Sequence, residues 1–410
     1  MSRLPLPLLL TCLLLPALSR AQHFDLDRLA RVDRFLQGLV DDGVVPNAQT
    51  YVAHRGKVIH RKSFGFSDLE ARTPARPDDI YRIASQTKAL VSVGLMLLFE
   101  EGAFQLEDPV SRYLPAFAEM RVLDDYTAGE ADYTTVPAAT DITIRHLLSH
   151  TAGISDNLPV PVGPEARVPY LVTLEPETLA GVVDRIAKRP LAHQPGAAFT
   201  YGLSTEVVGR LIEVLAGQPL DEFLRERLFT PLGMTDTHFY LPEGKHDRLV
   251  TLYSKPEREA GLVVHASEVH RFFPLRGAKT HLSAAGGLVG TIDDYGRFCQ
   301  MLVNGGELNG RRYLNPRTIA LMTKNQTGEH RVWTRNDPFG LGFQLISEHS
   351  RYGDLAPVGA YTWGGLYCTE YTIDPVNDLV LLVYTNVQPI PQYGEVVRKF
   401  RTLVYQALVE

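Results

Sequence analysis

The chain has 410 residues, too many for one small core and enough for one large domain or two interleaved lobes. Hydrophobic residues make up 45% and charged residues 21%, which excludes global disorder. The formal charge is −6 with acids and bases well mixed, so no basic block points to nucleic acid and no acidic tail is present.

The first 22 residues, "MSRLPLPLLLTCLLLPALSRAQ", hold a leucine-rich apolar run behind one arginine. Small residues at Ser19 and Ala21 fit a signal-peptidase site. The reading is a signal peptide over 1–21, export to a periplasm or beyond the cell, and a mature chain starting at Gln22. Pro5, Pro7 and Pro16 break the run, which is short for a membrane span. Cys12 sits inside the run rather than at its end, against lipidation. Loss of Arg3 and Arg20 takes the formal charge from −6 to −8. The remaining cysteines, Cys299 in "RFCQML" and Cys368 in "LYCTEY", lie in apolar contexts that favour two buried thiols over a disulfide. No later apolar run is long enough to span a membrane.

Residues 25–43 repeat apolar residues at helical spacing and stop at Gly43, an amphipathic helix. Two alternating runs then flank Arg55-Gly56, a β-hairpin. Residues 85–101 read as a strongly apolar central helix. The stretch to about 141 is punctuated by Pro and Gly and reads as loop, with "TAGEADYTTVPAATD" its least regular part. "TIRHLLSHTAGI" reads as a short helix closed by Gly153. Residues 175–217 hold two helical patterns, the second closed by Gly217. "GLVGTIDDYGRFCQMLVNGG" reads as a helix capped by Thr291 or Asp293. Late in the chain, "YTWGGLYCTEYTIDP" and "DLVLLVYTN" are β runs joined at "PVND", and a helix over about 393–409 follows. A helix followed by an antiparallel hairpin argues against a doubly wound parallel sheet, and strands occur at both ends of the chain with helices between them. They predict an α+β fold, with one antiparallel sheet flanked by the terminal helices and a mostly helical second lobe. The expected division is a sheet lobe from about 22–84 and 282–410 and a helical lobe over about 85–281.

Within "YRIASQTKAL", Ser85 and Lys88 stand at i and i+3, which puts both on one helix face within hydrogen-bond reach. A helix start supplies free N–H groups and partial positive charge. There a serine can act as a nucleophile, and a desolvated lysine can take its proton. Taken alone, the spacing also fits a capping serine beside a snorkelling lysine. The uncharged run "ALVSVGLMLLF" after Lys88 implies that the lysine is buried, and buried lysines need a purpose.

These motifs, in their order, resemble the serine β-lactamase and penicillin-binding-protein superfamily, nearest to class C β-lactamase-like proteins and family VIII carboxylesterases. "ASQTK" resembles the first motif and "ITIRHLLSHTAGI" the segment opening the helical lobe. "PGAAFTYGLSTEVVGRLIE" resembles the second motif region, "SAAGGLVGTIDDYGRFCQML" a later helix, and "WGGLYCTEYTIDP" the third motif strand. The resemblance spans nearly the whole mature chain and implies a transpeptidase-like fold with Ser85, Lys88 and Tyr201 as catalytic residues. The second motif reads Tyr201-Gly202-Leu203, where Leu203 stands in for a polar side chain that contacts lactams or peptide amides. Ser204 is a weak substitute. The third motif, Trp363-Gly364-Gly365, offers an aromatic wall and one N–H where lactam-recognising relatives carry a cation. It resembles the version in family VIII esterases and implies a neutral ester substrate. Trp363, Gly364 and Gly365 would then line the substrate site, and the Leu366 and Ser85 N–H groups would form the oxyanion hole.

His150 is expected to brace its loop, Asp293 and Asp294 to start a helix, and His281 to be a candidate for lining the cleft. The 13 histidines form no H-E-x-x-H or Cys/His cluster, so neither metal nor other cofactor is expected. The absence of G-x-S-x-G argues against an α/β-hydrolase elbow. The sequence therefore implies a serine hydrolase acting on a small-molecule ester. A lactamase or D,D-peptidase, an acyltransferase and a non-catalytic binding relative are the alternatives.

Overall fold

A computed structural model describes residues 23–352 and 354–409. The signal peptide expected over 1–21 lies outside the described residues. No described helix is long and apolar enough to cross a membrane.

The fold is α+β. Its centre is a seven-stranded antiparallel sheet built from both ends of the chain: β1 (Asn47–His54), β2 (Lys57–Asp68), β3 (Thr73–Pro74), β4 (Gln344–Leu345), β5 (Tyr361–Gly365), β6 (Thr369–Asp374) and β7 (Leu379–Tyr384). The spatial order is β4-β5-β6-β7-β1-β2-β3, so β7 pairs with β1 and joins the two terminal hairpins. The β1–β2 turn is Arg55-Gly56, both left-handed (φ 52° and 74°), as a two-residue hairpin demands. Alternation decides which face each strand residue covers. On β7, Leu379, Leu381 and Val383 join one core cluster, while Val380, Leu382 and Tyr384 join the other.

The first cluster is roofed by α1 (Leu26–Asp41) and the terminal helix Tyr393–Tyr405. Asp25 caps α1 by accepting the Arg28 N–H at 3.0 Å. The opposite face carries the helix Ile292–Val303. A Cβ on Gly296 would fall 2.7 Å from the Tyr51 ring, so only glycine lets this helix lie on the sheet. The apolar helix predicted from 85 is α2 (Thr87–Glu100), buried on every side from Thr87 to Leu98 and packed against α3 (Ser204–Ala216). Cys299 and Cys368 are buried free thiols in different core clusters.

Three local expectations are corrected. Part of the predicted loop forms a hairpin, Arg121–Tyr126 with Tyr133–Pro137, pairing Val122 with Val136 and turning through Gly129 (φ 87°). Its backbone groups need partners because Val122 and Leu123 are buried, and the Leu123 N–H also donates to Leu191 O at 2.9 Å. The helix Ile144–Leu148 is capped by Ser149 and closed by His150, which is itself left-handed (φ 56°), three residues before Gly153. The run "YTWGGLYCTEYTID" is two strands, β5 and β6, reversed at a turn that closes on Cys368 (φ 59°).

Candidate active site

Ser85 sits in a tight 3₁₀ turn, Ala84–Gln86, that runs directly into α2. The turn is strained and held: Ala84 is left-handed (φ 44°), a conformation an alanine adopts only under external constraint. The constraints are visible. The Tyr295 hydroxyl donates to Gln86 O (3.0 Å) and the Tyr384 hydroxyl to Gln86 Oε1 (2.6 Å). The Ile83 N–H donates to Leu288 O (3.2 Å), and the Leu288 N–H donates back to Thr87 Oγ1 (3.2 Å). Sheet and helix thus hold one serine at the head of a buried helix.

Lys88 is 5% exposed. Its Nζ donates to Ala285 O at 2.7 Å and to Ser85 Oγ at 3.3 Å, and lies 4.6 Å from the centroid of the Tyr201 ring. Among the described residues no carboxylate pairs with it. Sequence reading did not single out the group that holds Ala285. Glu206, buried on α3, accepts the Ser283 hydroxyl (2.6 Å), the Ala284 N–H (2.9 Å) and the Ala285 N–H (3.3 Å). It fixes the strip whose carbonyl receives the lysine. The only signal for it in the sequence is an acid inside an otherwise apolar helical stripe.

Tyr201 is half-buried, and its hydroxyl accepts the Trp363 Nε1–H at 3.0 Å. The two rings lie 5.0 Å apart, and the His150 ring lies 4.7 Å from Tyr201 on another side. The His150 carbonyl accepts the Thr200 N–H at 2.8 Å, so the loop carrying Tyr201 is tied to the helix before it. Burial first, and the nearby Lys88 second, push the His150 imidazole down to about 3. Its ring braces the tyrosine as a neutral group.

Ser85, Lys88, Tyr201, Leu203 and Leu366 line one cavity of about 270 Å³, with Asp156, Tyr170 and Trp333 at its sides. Trp363, Gly364 and Gly365 lie behind that lining. Trp363 is 5% exposed and meets the cavity through Tyr201. A Cβ on Gly365 would fall 2.3 Å from Ile83 O, so glycine here lets β5 run against the backbone leading to Ser85 and brings Leu366 to the cavity. Gly364 is similarly pressed on the Tyr393 hydroxyl. Ser204 is fully buried with its hydroxyl unpartnered, and His281 is buried with both ring nitrogens unpartnered; neither lines this cavity. Asp293 and Asp294 lie in the first turn of Ile292–Val303, which Thr291 caps. Among the described residues no group of His, Cys, Asp or Glu could hold a metal ion.

An antiparallel α+β fold that brings a serine, a lysine one helical turn on and a tyrosine to one cavity is the arrangement expected of a serine hydrolase. The chain belongs to the Beta-lactamase family, whose model matches residues 32–406. A Mycobacterium tuberculosis protein is 32% identical over 372 residues, covering 85% of this chain and 87% of its own. Esterase EstB of Burkholderia gladioli is 27% identical over 399 residues, covering 92% and 95%. Among solved structures, EstCE1, described as a hydrolase with promiscuous acyltransferase activity, is 28% identical with a TM-score of 0.75. The match covers 92% of this chain and 99% of that one.

Proposed function

We propose that this protein hydrolyses carboxylic esters through an acyl-enzyme on Ser85. The observation that carries the reading is the Lys88 Nζ 3.3 Å from Ser85 Oγ inside a cavity whose lining holds no second cation. Ser85 Oγ attacks the ester carbonyl and gives up its proton to the Lys88–Tyr201 pair. The Ser85 and Leu366 N–H groups take the oxyanion. The tetrahedral intermediate collapses, the pair returns the proton to the departing alcohol, and the acyl group stays on Ser85. Water then attacks, loses its proton to the same pair, and releases acid and free serine. The lack of a cation to hold a substrate carboxylate supports an ester over a lactam or a D-alanyl peptide. The EstCE1 relative supports a second outcome for the acyl-enzyme, transfer to an alcohol in place of water. The leucine-rich run read as a signal peptide over 1–21 supports export.

The test is a comparison of a short-chain nitrophenyl ester with a chromogenic cephalosporin on the mature chain, with Ser85→Ala as control. Ester turnover should exceed lactam turnover and fall by at least about 10³-fold in the variant. Ester turnover that survives Ser85→Ala, or lactam turnover far above ester turnover, overturns the reading.

A further inference from the structure

Asp156 is the one carboxylate lining the cavity among the described residues. It is exposed, and no cation pairs with its side chain. The nearby guanidinium, Arg189, is buried, feels the Asp156 charge without forming an ion pair with it, and donates to the backbone carbonyls of Ser155 at 3.2 Å and Asp156 at 3.5 Å. Lys88 is engaged with Ala285 O and Ser85 Oγ. The backbone that carries it is nonetheless held in place. Gly202 packs so tightly on this loop that a Cβ there would fall 2.7 Å from both the Asp156 nitrogen and the Ile154 oxygen. Asp156 is thereby fixed beside the residue that follows Tyr201.

Two large aromatic side chains stand exposed on the same cavity, Tyr170 at 61% and Trp333 at 57%. Trp333 meets Tyr201 edge-on at 5.4 Å. Tyr170 is near enough to Asp156 that the carboxylate, after burial, raises its phenol. Exposed apolar rings of this size tend to mark binding surfaces. Aromatic rings that line one cavity with a carboxylate supply the chemistry that recognises alkylammonium groups, by cation–π attraction and by charge.

We propose that this cavity selects esters that carry an alkylammonium group close to the scissile bond, held by Asp156 and the Tyr170 and Trp333 faces. The proposal rests on the ester reading and adds the substrate class. The same carboxylate repels substrates bearing a carboxylate of their own, which deepens the discrimination against lactams and peptide termini.

The experiment compares kcat/KM for a choline ester, its uncharged 3,3-dimethylbutyl isostere and a succinate half-ester of the same short alcohol series. The native chain should favour the cationic ester over the isostere by about tenfold, since a partly exposed ion pair and a cation–π contact each contribute a factor of a few. The anionic ester should fall below the isostere. In Asp156→Asn the cation-to-isostere ratio should drop to about two or less, and Asp156→Glu should restore most of it. A native ratio of one or less, or a ratio unmoved by Asp156→Asn, overturns the proposal. If none of the esters is hydrolysed, the ester reading has failed, and calorimetric titration of choline decides the cation site separately. Tighter binding to the native chain than to Asp156→Asn upholds it; equal or absent binding overturns it.

Discussion

Glu206→Gln isolates the clamp behind Lys88. The native carboxylate faces three donors: Oε1 takes the Ser283 hydroxyl and the Ala285 N–H, and Oε2 takes the Ala284 N–H. Glutamine keeps the shape but offers one oxygen and one NH₂. Its best orientation puts the oxygen at the Oε1 position, which sets the NH₂ against the Ala284 N–H. That leaves a buried donor unpaired, at a cost of about 1–3 kcal/mol. The two surviving bonds lose the strength a carboxylate gives them, about 1 kcal/mol more. The expected destabilisation is about 2–4 kcal/mol in urea unfolding, read at unchanged m. Relief of the donor clash pushes residues 284–285 away from α3. Ala285 O, which sets the Lys88 Nζ at 2.7 Å, moves with them. The lysine then drifts from Ser85, and kcat on a nitrophenyl ester should fall about 10–100-fold with KM changed far less. A stability loss below about 0.5 kcal/mol would refute the hydrogen-bond argument. A stability loss with kcat within twofold of native would refute the link from Glu206 to Lys88.

Trp363→Phe removes the Nε1–H donated to the Tyr201 hydroxyl while keeping an aromatic ring in the site. One lost bond of about 1–2 kcal/mol should lower kcat about 5–30-fold and leave KM nearly as it was; a raised KM at native kcat would mean that Trp363 touches substrate instead. His150 carries a pH signature. Its folded pKa, about 3, lies below its ordinary value of 6.5, so the unfolded chain binds the proton first, and His150 weakens the fold as pH falls from about 6.5 toward 3. At pH 5 this amounts to about 2 kcal/mol, and His150→Phe should flatten the decline by that amount in urea unfolding followed between pH 7 and pH 5; an identical decline in both proteins counts against it.

The readable parts of this chain are those whose causes are local. Asp25 caps its helix through its own side chain, Arg55-Gly56 turns the first hairpin by its own dihedral preferences, and Gly217 closes α3 (φ 69°) for the same reason. The spacing of Ser85 and Lys88 predicts their meeting because one helical turn guarantees it. The 121–137 hairpin escaped the reading because its polar strands pair in response to what Val122 and Leu123 must bury. Glu206 and Asp156 escaped it for a different reason. Each is an ordinary acid in sequence, and its meaning depends on what lies opposite: three donors from a strip 77 to 79 residues later in one case, two exposed rings in the other.

Trp363 falls between these cases. Its sequence context predicts an uncharged third motif, and the cavity lining, with Lys88 as its one cation among the described residues, is consistent with that. Its partner was not predictable, because the indole N–H reaches a tyrosine 162 residues away rather than the substrate space. The consequence is chemical. A cation at this position would act on a substrate's charge, whereas a neutral donor behind Tyr201 acts on the phenol itself. It fixes the ring that lies over Lys88 and offers a hydrogen bond to its oxygen in whichever protonation state that oxygen holds. A tryptophan in place of a cation thus leaves no charge to hold a substrate carboxylate and orients the Tyr201 hydroxyl instead, and both features suit an ester without a carboxylate of its own.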